Sequence, residues 1–378
     1  MNFDARLLRH IDKLLVLIMF ALIVFGVIVV SSAARGYVGP DKAMPFVNRQ
    51  VLAAGIGLFL ILIALVFDYT EFGRMTWIIY GLNVFLLAVV LVLGKATNGA
   101  VSWIRIGGFQ FQPSEFGKVM LILTLGQQLS RMDRIDRLLD LVAPALHVLP
   151  LMALVLVQND LGTTLVFVVI TAVMLYMAGF PGWKMLAIGV PPLAAVGGWL
   201  YAHLRWGVSM WPLQPHQIKR LVTFVNPNAD PLDSGWQVLQ SRISIGSGGL
   251  LGQGLYHGTQ NQLGFLPEQH TDFIFSVVGE ELGFAGGILL IVLFLVLLWR
   301  IMAIAGTAKD GYGALIATGV AGMIGFHVLE SLGMTMGVMP MTGIPLPFIS
   351  YGGSAMMADM LAVGLVLNVG MRRQKIMF

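Results

Sequence analysis

Polar residues are sparse along most of this chain and cluster in short bursts between long apolar runs. Runs near 14–34, 51–67, 75–94, 114–130, 141–157, 162–179, 184–204, 272–300, 312–337 and 348–370 could each cross a bilayer as a helix. The pattern predicts an all-α polytopic membrane protein of about ten transmembrane helices, forming one integral domain over 1–378. A single long polar stretch, about 205–271, separates the seventh and eighth spans. Its NPNADPLDSGW and GSGGLLGQG clusters predict turns and close backbone approach rather than long helix. Only QNDLG divides the fifth run from the sixth, so a tight turn is expected there.

Composition agrees: 57% of residues are hydrophobic and 11% charged, against about 25% charged in a soluble domain. There is no cysteine, which excludes disulfides, thiol nucleophiles and thiolate metal sites. The net charge of +4 is small and gives no reason to expect a nucleic-acid partner. No small-residue cleavage site follows the first apolar run, which reads as a retained span rather than a signal peptide.

Basic residues set the orientation. With the N-terminus cytoplasmic, the inner segments hold Arg6, Arg9, Lys13, Arg74, Arg131, Arg134, Arg137, Lys184, Arg300, Lys309, Arg372, Arg373 and Lys375. The short outer segments hold only Arg35, Lys42, Arg49, Lys95 and Arg105. This asymmetry predicts both termini inside and the 205–271 loop outside.

The unusual polar motifs then fall on one face. Arg49 opens the second span, and VSWIRIGGFQFQPSEFGK brings Arg105, Glu115 and Lys118 to the start of the fourth. QNDLGTT with Asp160, PEQHTDF with Asp272, and MTGIPLPFISYGG complete the set. Helix ends gathered this way predict a site on the outer face. Each residue also has a plainer reading. Glu115 and Lys118, three apart on one helix face, could simply neutralise each other. Asp160 and Asp272 could cap helices. Arg49 and Arg105 could anchor at the interface or present planar forks to phosphate. Lys219, Arg220 and Arg242 read most simply as a solvated face, and His270 as a local hydrogen-bonding residue. No histidines are spaced as metal ligands.

The stretch GFLPEQHTDFIFSVVGEELGF carries three acids into an apolar run. Glu280 lies eight residues beyond Asp272, about 12 Å deeper along the helix. Glu281 adjoins it. Acids inside a membrane are costly, so Glu280 and Glu281 are expected to point into the bundle as structural groups.

QSRISIGSGGLLGQGLYHGTQNQLGFLPEQHTDFIFSVVGEELGF closely resembles the SEDS family of cell-wall polymerases. So do VSWIRIGGFQFQPSEFGK, QNDLGTT, RLVTFVNPNADPLDSGWQ and GIPLPFISYGGS. The resemblance runs in order over essentially the whole chain. The short N-terminal tail and the PEQHTDFIFSVVGEE wording are similar to the elongation branch rather than the division branch. The resemblance implies a ten-span peptidoglycan glycosyltransferase in the bacterial cytoplasmic (inner) membrane. It would link lipid II disaccharide-peptide units on the outer face and work with a class B penicillin-binding protein that crosslinks the product. The family's essential acid falls on Asp272, its Glu–Lys pair on Glu115 and Lys118, its outer arginines on Arg49 and Arg105, and its loop arginine on Arg220. Asp160, His270 and Thr271 complete the expected substrate-binding set. Some positions depart. The family usually has Asn close to Ser331, and often Pro where Asn159 stands. Glu330 and Asp359 are intramembrane acids outside the family pattern, and a pairing of the two between the ninth and tenth spans would account for them.

The implied chemistry moves a sugar from a diphosphate-lipid to a hydroxyl with inversion, in a single displacement. Asp272 is the candidate general base. The cations would steady charge on the departing diphosphate. A divalent cation, Mg or Mn, could assist there, although no motif requires one. Two other classes compete: a lipid II flippase or transporter, and a non-enzymatic scaffold of a wall-synthesis complex. A transporter should show inverted repeats or paired broken helices, and the sequence shows neither.

Overall fold

The computed structural model describes residues 10–97, 100–106, 109–133, 135–210, 213–227, 230 and 234–373. Arg6, Arg9, Arg134 and Lys375 of the charge asymmetry, and much of the NPNADPLDSGW cluster, lie outside the described residues. The first half runs α1 (Lys13–Val38), α2 (Pro40–Val66), α3 (Tyr69–Arg74), α4 (Thr76–Leu93), β1 (Lys95–Thr97), β2 (Ala100–Ile106), β3 (Phe109–Phe111) and α5 (Pro113–Ser130). After a short 3₁₀ turn come α6 (Val142–Val157), α7 (Leu161–Met177), α8 (Gly182–Trp206), α9 (Pro215–Val225), α10 (Ser234–Ser247) and α11 (Thr259–Gln262). The chain closes with α12 (Ile274–Gly306), α13 (Gly311–Met336) and α14 (Gly353–Met371).

Every predicted span corresponds to a helix. Among the described residues, eight helices are long and apolar enough to cross a membrane. α7 is apolar but shorter. α5 carries the Glu115–Lys118 pair and is largely buried. Local signals set several boundaries. Asp12, Asp160 and Asp310 accept the amides of Leu15, Thr163 and Gly313, capping α1, α7 and α13. Pro40 and Pro113 occupy first-turn positions, where a missing N–H costs nothing. The tight turn between α6 and α7 places Asn159 at φ 61°. Asn tolerates that left-handed conformation, whereas proline, fixed near −65°, cannot adopt it.

Burial grades the helices from centre to rim. α13 and α14 are buried along most of their length. α14 packs on α2, α5 and α13, and α13 on α5, α7 and α12. α8 has no buried residue and presents Trp183, Leu193 and Trp206 outward. In water such an apolar face would be costly, at about 25 cal/mol per Å²; it is the surface expected against lipid.

Two sequence expectations change. The stretch before α5 is a small antiparallel meander, β1–β2–β3, with Arg105 opposite Gln110. Its β-branched and aromatic residues suit a pleat. The 205–271 loop is substantially helical rather than turns alone. α9 gains its helix from an amphipathic sequence, and α10 by packing on α12 and α13. The GSGGLLGQG turns do make the predicted close approach. Gly252, at φ 82°, lies so near α12 that a Cβ would come within 2.2 Å of the Glu281 carbonyl. α12 itself breaks at Gly283, φ 66°. The loop takes over there: Phe284 and Ala285 donate to the carbonyls of Gly249 and Leu250 at 2.9 and 3.0 Å. Irregular backbone is thus satisfied by protein.

Candidate functional site

A cavity of about 770 Å³ collects the polar motifs. Its walls come from the starts of α2, α5, α7 and α14, the β-meander, α9, the 268–272 approach to α12 and the 340–345 segment after α13. Arg49, Arg105, Glu115, Lys118, Asp160, Arg220, His270, Thr271 and Asp272 all line it. Every candidate binding or catalytic residue from the sequence therefore reaches one space.

Asp272 does not cap α12. The N-cap is Phe273, and no side chain caps that end. The Asp272 carboxylate is instead partly buried against Gly343, whose Cβ position is 3.3 Å from Oδ2. Burial is the main reason its pKa rises to about 6, and the charge of Glu268 adds to the rise. Arg220 and a hydrogen bond from Thr271 oppose it. The result is a carboxylate poised just below neutrality. Arg220 is not on a solvated face. It reaches from α9 to the carbonyls of Met341 and Thr342, at 3.3 and 3.2 Å, and so holds its charge beside Asp272.

Deeper in, Lys118 donates to Glu115 at 2.7 Å, with both residues almost wholly buried. Lys118 also lies 3.1 Å from Nε2 of His327 on α13. Asp359 on α14 is close enough to feel the charges of Lys118 and Glu115. Glu330 sits elsewhere, bonded by the Thr342 hydroxyl and near Asp272 and Arg220. The expected Glu330–Asp359 pair therefore does not form; the two acids lie near different cations, and each keeps one oxygen without a hydrogen-bond partner among the described residues.

At the mouth, Arg49 and Arg105 are exposed, and their side chains make no hydrogen bond or ion pair with described residues. Their guanidinium forks are open to a ligand. Asp160 keeps its capping role, accepting both the amide and hydroxyl of Thr163 at 2.9 Å. It also receives Gln112 at 3.4 Å. His270 is buried in an aromatic cluster, 4.5 Å from Tyr37 and 5.3 Å from Phe46 between ring centres. Burial pushes its pKa down to about 4, which keeps it neutral and unsuited to anion binding by charge. The carbonyls of His270 and Thr271 accept Tyr351 N–H and Ser350 Oγ–H, at 2.9 and 2.6 Å. Those bonds lock the motif to the entry of α14.

Glu280 and Glu281 stand away from the cavity and act structurally. Glu280 accepts the amides of Gln260 and Asn261 at 2.7 and 3.0 Å, capping the first turn of α11. Glu281 accepts Ser32 and Asn261 at 2.6 and 2.7 Å, joining α1 to the loop. Arg242 also has a structural role, donating to the carbonyls of Met336 and Gly337 that end α13. Glu268 and His327 were not singled out from the sequence. Glu268 has no periodic signal, and His327 lies inside an apolar helix whose facing partner Lys118 is 209 residues away. Among the described residues no three His, Asp or Glu side chains group to hold a metal ion, so no step is assigned to one.

The fold and cavity define a polytopic membrane protein whose polar motifs converge on one cavity among its helix ends. The profile of the FtsW, RodA and SpoVE cell cycle proteins matches residues 12–375. The peptidoglycan glycosyltransferase RodA of Treponema pallidum is 35% identical, over 96% of this chain and 98% of that protein. The stage V sporulation protein E of Bacillus subtilis is 38% identical, over 95% and 96%. In a solved peptidoglycan synthase complex described as coordinating polymerization and crosslinking, one chain superposes with TM-score 0.79 at 35% identity, covering 96% of this chain and 98% of that one. This chain belongs to the FtsW/RodA/SpoVE family, the SEDS family its motifs resemble.

Proposed function

We propose that this protein is a peptidoglycan glycosyltransferase that polymerises lipid II at the outer face of the bacterial inner membrane, with Asp272 as general base. The observation that carries the reading is a half-buried, poised carboxylate in a cavity that also holds four cations. A raised carboxylate can take the acceptor hydroxyl proton near neutral pH. Arg49 and Arg105 offer exposed forks to a diphosphate, and Arg220 and Lys118 add charge further in. The starts of α5, α7 and α14 lie at the same cavity, so their positive helix ends reinforce the attraction for an anion. Inversion follows from one displacement: the acceptor oxygen bonds to the anomeric carbon as the diphosphate leaves, and the proton passes to Asp272.

The relatives' names and the complex that matches in fold support a polymerase acting beside a crosslinking enzyme, here a class B penicillin-binding protein. The HTDF wording supports the elongation branch and a part in rod shape. The basic asymmetry supports an outward cavity and cytoplasmic termini.

Purified protein is assayed for glycan chains from lipid II, alone and with its partner. Asp272→Asn should abolish polymer while the protein remains folded. Wild-type polymer from that variant would sink the assignment. Lipid movement across vesicles without polymer from the wild type would favour a flippase instead.

A further inference from the structure

Glu330 is a buried acid for which the reaction has no use. It is 2% exposed, on α13, at a position outside the family pattern. One of its oxygens, Oε2, has no hydrogen-bond partner. A buried acid with an idle oxygen is a poor contribution to packing. Its other oxygen takes the hydroxyl of Thr342. Thr342 belongs to the segment that forms one wall at Asp272. The carbonyls of Met341 and Thr342 hold the Arg220 guanidinium, and the next residue, Gly343, packs against the Asp272 carboxylate. Gly343 has φ 79° and lies in a stretch with no regular secondary structure, so no helical or strand ladder fixes this wall. The Glu330–Thr342 bond pins it to α13, one of the most buried helices.

We infer that Glu330 is a positioning residue: through Thr342 it sets the Met341–Gly343 wall, and with it the placement of Arg220 and Asp272. The inference rests on the reading of Asp272 as the base. Misplacing a reacting group by about 1 Å can cost on the order of 10²-fold in rate, so a loosened wall should lower turnover more than substrate affinity.

The test uses the full chain in detergent, with kcat and KM for lipid II and thermal unfolding for each variant. Glu330→Ala and Thr342→Val should each lower kcat roughly tenfold, leave KM within about twofold, and stay folded at assay temperature. The double variant should be no slower than the worse single one, because both remove the same bond. Glu330→Gln and Thr342→Ser keep the hydrogen bond and should restore kcat to within about threefold of wild type. Wild-type kcat in both disruptive variants would overturn the inference. So would losses that multiply in the double variant, or a fall in activity matched by the fall in folded protein. If Glu330→Ala does not fold, Thr342→Val decides alone. Asp272→Asn runs alongside: polymer from it overturns the base assignment, whereas no polymer from it with full activity in the disruptive variants overturns the positioning role only.

Discussion

Lys118 and Glu115 face each other at 2.7 Å inside the bundle, one turn apart on α5, with side chains only 2% and 4% exposed. A buried pair is strongly destabilised when one partner goes, by about 3–5 kcal/mol, because the other charge is left uncompensated. Lys118→Met should therefore lower the unfolding temperature sharply, leaving Glu115 and Asp359 together without a cation. Adding Glu115→Gln should recover much of the loss. A double variant less stable than Lys118→Met would refute this account of the pair. Activity should stay low in both, since the cavity loses its deepest cation.

The raised Asp272 pKa gives an acid limb to the pH profile. The base must be ionised, so polymerisation should fall as pH drops through about 6, approaching tenfold per unit below it. Glu268 contributes to the rise by repulsion. Glu268→Gln should then move the limb to lower pH, as read from kcat/KM measured at sub-saturating lipid II, which reports the free enzyme. A limb that stays in place would mean that Glu268 does not tune the base.

The same pKa predicts a stability trend of opposite sense. A carboxylate whose folded pKa lies above its unfolded value binds protons more readily in the folded state between those values. Its contribution to stability therefore increases as pH falls from about 6 toward 3.8. Comparing wild type with Asp272→Asn isolates this group: the difference in unfolding temperature should favour the variant at pH 7 and shrink on acidification. A difference independent of pH would contradict the burial assigned to Asp272.

Glu280 caps α11 with two amide bonds. Glu280→Ala should cost roughly 1.5–3 kcal/mol by removing hydrogen bonds to a charged group. Thermal unfolding measures the loss, and kcat of the folded fraction should change little, since Glu280 does not line the cavity. Gly252→Val should be as damaging, because its φ of 82° and the Glu281 carbonyl leave no place for a side chain. Retained wild-type stability in either variant would contradict the packing of the 248–262 loop on α12.

Much of the site could be read from the chain because its residues sit at helix ends marked by local signals. Pro113 starts α5 and delivers Glu115 and Lys118; Asp160 caps α7; the HTDF stretch precedes the apolar run of α12. Bilayer length then fixes which ends share a face. Arg220 was harder to place, because nothing within the 205–271 loop shows that α9 folds back over Met341 and Thr342. Glu280 and Glu281 were legible as buried acids, but their partners on α1 and α11 come from 19 to 249 residues away.

The sequence alone determined the membrane class, the long apolar helices and the gathering of the polar motifs at one cluster of helix ends. Apolar length, capping residues and basic asymmetry act locally, so one chain read in order suffices for them. Tertiary structure decided which acid meets which cation. It separated Glu330 from Asp359, set one beside Arg220 and Asp272 and the other beside Lys118, and buried His270 among aromatic rings. Those outcomes depend on helix rotation and on how the outer loop folds over the bundle. Both are fixed by packing among residues far apart in the chain, where charge and burial act through space rather than along the backbone.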